Sequence, residues 1–241
     1  MIDLHCHLLP GIDDGPEDLA TALRLARHAV AAGIRTSVVT PHMHPGRYAN
    51  RAANIRAAAA SFQQSLDADG IALKILCSAE VRLDHEILSW VGEEQIPYLG
   101  HWQGERVMLL EFPHSHVPVG ADKLVAWLLK QGIRPMIAHP ERNKDILRSI
   151  EKLLPFVRLG CLLQVTAGAA AGSFGEQAQA RAVDLLSRGW VTVLASDAHN
   201  MEARPPELEP GRVAAAKIVG EEESWKLVRD RPAEIIGKAA P

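Results

Sequence analysis

The sequence predicts an α/β domain, because short β-rich runs alternate with longer helical stretches seven times along the chain. Runs such as Val107-Met108-Leu109-Leu110 are apolar on both faces, which marks a parallel sheet covered by helices. No linker, low-complexity tract or internal repeat interrupts the 241 residues, so 1–241 reads as one domain. Seven β-α units close better as a barrel than as an open sheet. A chain of this length buries roughly 70–75% of its unfolded surface, enough for one large core.

The first run, Ile2–Leu8, leads into a helix over Glu17–Ala32. Leu19, Leu23, Ala26 and Val30 recur there at the three-to-four spacing of one buried face, and Gly33 stands where a helix-ending glycine belongs. Thr36–Thr40 is the second run, stopped by Pro41, and an alanine-rich helix over Asn50–Asp67 closes at Gly70. The third run is Ala72–Ala79, followed by an irregular stretch from Asp84 to Gly104. The fourth to seventh runs are Arg106–Phe112, Pro135–Ala138, Leu162–Thr166 and Val191–Ala195. Helices near Ala121–Gln131, Lys144–Leu159 and Gln177–Arg188 separate them, and Gly211–Gly237 reads as helical.

Composition removes several function classes. With 47% hydrophobic and 23% charged residues the chain is an ordinary globular protein, not a disordered or fibrous one. Its 26 basic and 29 acidic residues are interspersed, a net charge of −3 that leaves no footprint for nucleic acid. No apolar run approaches the ~18 residues of a membrane span, so no membrane insertion is expected. Met1-Ile2-Asp3-Leu4-His5 reads as a strand rather than a signal peptide, and a cytoplasmic location follows as the expectation. Cys6, Cys77 and Cys161 are odd in number and lack CxxC spacing, which suits a reducing compartment.

The unusual figure is 11 histidines, and their positions converge. The first strand carries His5 and His7, the second leads to His42, and the third ends at Glu80. Glu111 ends the fourth, the fifth leads to His139, and the seventh leads to Asp197 and His199. In a parallel barrel the C-terminal strand ends form one face, where active sites are built. A lone histidine at a strand end is more often a satisfied polar residue than a ligand. Eight such groups on one rim would be costly without compensation, and bound cations supply it. His5 and His7 lie two residues apart on a strand and share a face, whereas Cys6 points into the core. The loop Pro10-Gly11-Ile12-Asp13-Asp14-Gly15-Pro16 adds a ninth candidate, Asp14, with Asp13 its rival. Mixed histidine and carboxylate donors without thiolate fit zinc, manganese or iron, and nine of them imply more than one ion, with Glu80 able to bridge two. Multinuclear sites suit phosphate ester hydrolysis, one ion activating water while another stabilises oxygens at phosphorus.

Taken together, Asp3-Leu4-His5-Cys6-His7, Asp13-Asp14-Gly15-Pro16, Thr40-Pro41-His42, Glu80, Leu110-Glu111-Phe112-Pro113, Ala138-His139-Pro140-Glu141-Arg142 and Ser196-Asp197-Ala198-His199 resemble the PHP (polymerase and histidinol phosphatase) family. Within it the chain is similar to the bacterial capsule and exopolysaccharide branch, the CpsB/YwqE-type tyrosine-protein phosphatases. The match runs in order from residue 1 to about residue 204. The resemblance implies a distorted (β/α)7 TIM-like barrel, the PHP fold, with its metal site at the C-terminal edge of the strands. It also implies three divalent ions, manganese first, with iron, zinc or magnesium as alternatives. The first ion would take His5, His7, Glu80 and Asp197, the second Glu80, Glu111 and His139, and the third Asp14, His42 and His199. Arg142 and Arg204 match the two arginines that hold phosphate in that branch. A phosphotyrosine protein, a bacterial tyrosine kinase tail above all, is the implied partner.

Rival chemistries fare worse. A cysteine phosphatase needs an arginine six positions after its cysteine, and Ile12, Leu83 and Ala167 stand there instead. No Gly-x-Ser-x-Gly elbow, Walker A loop or zincin helix is present, and no general acid is evident. A phenolate leaving group, with a conjugate-acid pKa near ~10, needs less protonation than an alkoxide. Two other readings stay open: a small-molecule phosphatase of the histidinol-phosphate type, and a non-catalytic PHP module serving assembly or regulation. His114 and His116 read as a solvated loop, with contact at the substrate rim second; His44 and Arg47 could shape specificity. His28, His85 and His101 carry no assigned chemistry. The 5% aromatic content offers no visible stacking groove for phosphotyrosine.

Overall fold

The computed structural model describes residues 1–237, so positions 238–241 of the expected 1–241 domain lie outside the described residues. The chain runs β1 (Ile2–Cys6), α1 (Leu19–Ala31), β2 (Thr36–Val39), β3 (His42–His44), β4 (Tyr48–Ala49) and α2 (Ala52–Ala68). Next come β5 (Lys74–Cys77), β6 (Glu80–Arg82), α3 (Ile87–Gly92), β7 (Gly100–Trp102), β8 (Glu105–Glu111) and α4 (Ala121–Lys130). β9 (Ile133–Ala138), α5 (Lys144–Arg148), α6 (Leu154–Arg158), β10 (Leu162–Thr166), α7 (Ala167–Ala171), α8 (Glu176–Ser187) and β11 (Val193–Ala195) follow. α9 (Glu209–Val219), α10 (Glu221–Trp225) and α11 (Arg231–Ile235) form the C-terminal part.

These strands make seven staves, because two staves are broken. β2 and β3 are one stave interrupted at Thr40-Pro41, where proline has no N–H for the ladder. β5 and β6 are another, interrupted at Ser78-Ala79. Parallel pairing runs β1–β2–β5 on one side and β3–β6–β8–β9–β10–β11 on the other. Backbone hydrogen bonds join the two sets: Ser78 N–H donates to Val39 O (2.9 Å) and Thr40 N–H to Cys6 O (2.9 Å). The far ends meet where Asp197 N–H donates to His5 O and His7 N–H to Ala198 O, each at 2.8 Å. The expected distorted seven-stave barrel is thus the fold.

Two cores follow from the two faces of the staves. Inside, Leu4, Val38, Val107, Leu109, Met136 and Val193 fill the lower barrel, and Leu99 with Ala233 and Ile235 of α11 plugs its base. Outside, helices cover the staves; in α1 the buried residues are Ala22, Leu25, Ala26 and Ala29. The expected stripe differs: Leu19 is exposed, and the small alanines let the helix approach the sheet. Asp18 caps α1 by accepting the Thr21 N–H at 2.8 Å.

Other expectations are corrected. The third stave does not end at Glu80 but restarts there and continues to Arg82. The irregular 84–104 segment holds α3 and β7, the latter antiparallel to β8. The single helix expected over Lys144–Leu159 is broken into α5, a 3-10 turn at Ile150–Lys152 and α6. Ser149 is extended there (φ −150°, ψ 116°), and Pro155 in the first turn of α6 has no N–H to continue an earlier helix.

Candidate metal centre

At the upper end of β1 the pairing slips by one residue between Asp3 and Cys6, a bulge that re-aims the side chains. Cys6 is buried in the outer core, while His5 and His7 face inward with Nε2 atoms 3.2 Å apart. His5 Nδ1 lies 2.9 Å from Gln164 Oε1, and His7 Nδ1 lies 2.7 Å from Asp13 Oδ2. Both rings therefore present Nε2 to the centre.

The 10–16 loop folds back over these rings because Gly15 rests on the backbone of His7. A Cβ at Gly15 would stand 2.4 Å from His7 O, a contact no other residue permits. The loop separates the two rival aspartates. Asp13 turns to His7 and also accepts the His42 N–H at 3.1 Å. Asp14 Oδ1 faces His42 Nε2 at 3.1 Å and His199 Nε2 at 3.4 Å.

Glu80 sits at the middle, 1% exposed. Its Oε2 is 3.4 Å from the Nε2 of both His5 and His7 and 2.9 Å from His42 Nδ1. Its Oε1 is 2.8 Å from His139 Nε2. Asp197 Oδ1 approaches the same pair of histidines at 3.2 and 3.5 Å. His139 (φ 32°) and Asp197 (φ 51°) both hold left-handed backbone, an uncommon conformation at two strand ends of one site.

Three groups result whose donor atoms lie within 4.8 Å of one another: His5, His7, Glu80 and Asp197; His7, Asp14, His42 and His199; and His42, Glu80 and Glu111. The first matches the expected set and the second adds His7 to the expected third. In the remaining one Glu111 meets His42, while His139 joins through Glu80. Arg82 Nη1 lies 2.8 Å from Glu111 Oε2.

Four buried atoms here, Glu80 Oε2, Glu111 Oε2, His42 Nδ1 and His199 Nε2, make no hydrogen bond. Their nearest polar neighbours stand at 2.8–3.4 Å. Buried imidazole nitrogens and carboxylate oxygens clustered without hydrogen bonds are a donor set that suits divalent cations.

The electrostatics agree. Burial works against ionisation of Glu80 and Asp197, yet His5 and His42 around the first and Arg142 and His5 around the second hold both well below the ordinary carboxylate range. Burial and Arg142 push His139 down to about 4, and burial and His7 do the same for His199. Both imidazoles are neutral at pH 7 and keep a lone pair to donate.

The capsular polysaccharide synthesis CpsB/CapC family model matches residues 1–237. The chain belongs to the CpsB/CapC family. It is 36% identical over 230 residues to tyrosine-protein phosphatase YwqE of Bacillus subtilis (strain 168), covering 95% of this chain and 89% of that protein. To tyrosine-protein phosphatase CpsB of Streptococcus pneumoniae it is 29% identical over 248 residues, 98% of each chain. A chain from the crystal structures of YwqE from Bacillus subtilis and CpsB from Streptococcus pneumoniae, described as metal-dependent tyrosine phosphatases, superposes with a TM-score of 0.91 at 35% identity. That likeness covers 99% of this chain and 96% of the other.

In this CpsB/CapC chain the two arginines approach the centre from one side. Arg142 Nη2 lies 2.5 Å and Arg204 Nη1 3.5 Å from Asp197 Oδ2. Both line a cleft of about 390 Å³ together with Asp14, His42, Glu80, Glu111 and His139. His44, Arg47 and His114 stand at its rim. An aromatic wall is present after all: Phe174 lines the cleft, with the Arg142 guanidinium 4.9 Å above its ring. His116 Nδ1 is bonded to Ser115 Oγ at 2.9 Å, and His28 and His85 pair with Glu207 and Asp84.

Gln164 is a further functional residue, and its sequence signal is a lone amide inside the apolar Leu162-Leu163-Gln164-Val165. Its Oε1 serves His5 and also accepts the His139 N–H at 3.2 Å. Asp3 carries no sign of its role beyond its place in Asp3-Leu4-His5-Cys6-His7. Buried completely, it accepts the Ser196 hydroxyl at 2.5 Å and the Ser196 N–H at 3.0 Å, locking the first stave to the segment after the last. Arg82 and Phe174 had no signal, because their places depend on the stave break and on the loop after α7.

Proposed function

We propose that this chain is a metal-dependent protein-tyrosine phosphatase acting on a bacterial tyrosine kinase or a related phosphoprotein in the cytoplasm, and that it thereby regulates capsule or exopolysaccharide synthesis. The observation carrying the reading is the convergence of three donor groups on Glu80, His7 and His42 beside Arg142 and Arg204. The names borne by YwqE and CpsB, both tyrosine-protein phosphatases, support the substrate class. No helix among the described residues is long and apolar enough to cross a membrane.

Three divalent ions, manganese first, would be held by His5, His7, Glu80 and Asp197; by Glu80, Glu111 and His139; and by Asp14, His42 and His199. Such ions, when bound, lower the pKa of water and neutralise charge on phosphate oxygens. The chain's own residues do the remaining work. Arg142 and Arg204 clamp the phosphoryl oxygens with their planar forks as negative charge shifts during displacement. Phe174 walls the cleft where an aromatic leaving group would leave. The phenolate departs with little help from a proton donor, in keeping with the lack of an evident general acid.

The test is hydrolysis of a phosphotyrosine peptide, a phosphoserine peptide and histidinol phosphate with added manganese, with and without chelator, beside His139→Ala. Preference for phosphotyrosine, lost on chelation and in the variant, is the expected result. Preference for histidinol phosphate would move the protein to metabolite chemistry. No turnover of any substrate with metal bound would make it a non-catalytic module.

A further inference from the structure

A second groove, of about 930 Å³, opens beside the metal-site cleft and shares His114, Arg142 and Phe174 with it. α5 and α8 form its walls, and Leu147 and Ala178 give it an apolar floor. Around that floor stand Arg142, Lys144, Arg148 and Arg181, against the one carboxylate of Asp184. This local excess of positive charge sits on a chain whose net charge is −3.

The protein's own acids offset it only in part, and Arg142 is already held by Asp197 of the metal-site cleft. Asp184 is already shared between Arg181 Nη1 at 2.8 Å and Arg188 Nε at 2.7 Å. Arg148 is 74% exposed and pairs, among the described residues, with Asp145 at 3.3 Å. Lys144 is exposed and pairs with no carboxylate among the described residues. A small phosphate ester would be contained in the metal-site cleft. The basic groove adjoins that cleft at His114, Arg142 and Phe174, within reach of a polypeptide whose phosphorylated side chain enters the cleft.

We propose that the α5–α8 groove docks the chain flanking the phosphorylated residue, and that it selects an acidic flank whose carboxylates pair with Lys144 and Arg148. The inference rests on the phosphatase reading above. Opposed charge at a partly exposed groove acts mainly through encounter and register, so it shows as a KM effect that salt weakens.

The experiment is steady-state kinetics of the full metal-loaded chain on two phosphotyrosine peptides, one flanked by glutamates and one by glutamines, with p-nitrophenyl phosphate alongside. The glutamate peptide is expected to show a KM lower by about three- to tenfold, the size a few exposed ion pairs supply. Added salt should erase the difference. The Lys144→Glu/Arg148→Glu double variant should reverse the preference while leaving p-nitrophenyl phosphate turnover unchanged, which also shows that it folds. Equal KM for the two peptides in the wild type, both being hydrolysed, overturns the docking groove and leaves the phosphatase reading intact. Failure to hydrolyse any of the three overturns the phosphatase reading, and the groove's role with it.

Discussion

Asp13 Oδ2 lies 2.7 Å from His7 Nδ1 and accepts the His42 backbone N–H at 3.1 Å, so one carboxylate oxygen orients two neighbouring staves. It holds the His7 proton on Nδ1 and turns Nε2 to the centre, the task that outer partners of metal-binding histidines perform. Asp13→Asn should weaken metal binding by about 10- to 100-fold. Competition against a fluorescent chelator measures this, with circular dichroism to confirm folding. Unchanged affinity would mean that His7 needs no such orientation.

Arg142 and Arg204 reach the same Asp197 oxygen from the cleft side. If their forks bind phosphate, Arg142→Lys keeps the charge and loses the paired N–H geometry. Its kcat/KM for a phosphotyrosine peptide should fall about a hundredfold, as when one preorganised donor to a transition state is removed. Metal content by mass spectrometry should stay constant. A normal kcat/KM in Arg142→Lys would leave Arg142 as a partner of Asp197 alone.

Metal binding should release protons, and more of them at low pH. Burial opposes the His42 proton, but Glu80 and Asp14 hold it on up to about 9. Burial, joined by Glu80, pushes Glu111 up to about 7. Both groups carry a proton at pH 6, and each can ligate only after giving it up. A cation selects the deprotonated forms, so affinity should climb from pH 6 to about 9. Manganese titration calorimetry in buffers of different ionisation heat should show more protons released at pH 6 than at pH 9, His42 and Glu111 contributing beside His5 and His7, whose carboxylate neighbours hold their protons on above the ordinary histidine range despite burial. Equal release at both values would exclude His42 and Glu111 as the titrating groups.

Much of this was legible because histidines and carboxylates end staves, and stave ends share a face in a parallel barrel. His5 and His7 could be placed together from a spacing of two, and Cys6 could be sent to the core by the same alternation. The division of labour between Asp13 and Asp14 could not be read. It depends on how closely Gly15 packs on His7, a tertiary contact without a periodic signature. Glu80 was found at the right place for a different reason, since it begins β6 rather than ending its stave. Helix patterning failed over 144–159 because Ser149 and Pro155 break a sequence whose apolar spacing alone looks continuous.

The base of the barrel gives a prediction that separates stability from chemistry. Gly100 opens β7 with φ +151°, and a Cβ there would stand 1.9 Å from Ile235 O at the end of α11. Ile235 and the adjacent Leu99 belong to the inner core that α11 closes from below. Gly100→Ala therefore adds a disfavoured backbone conformation to a clash with main chain, which a rotamer change cannot relieve. The cost should be about 1–3 kcal/mol, seen as a fall of several degrees in Tm. The metal centre lies at the opposite ends of the staves, so metal content and kcat/KM at 25 °C, below the transition, should match the wild type. A loss of metal at that temperature would show that the plug and the centre are coupled through the inner core.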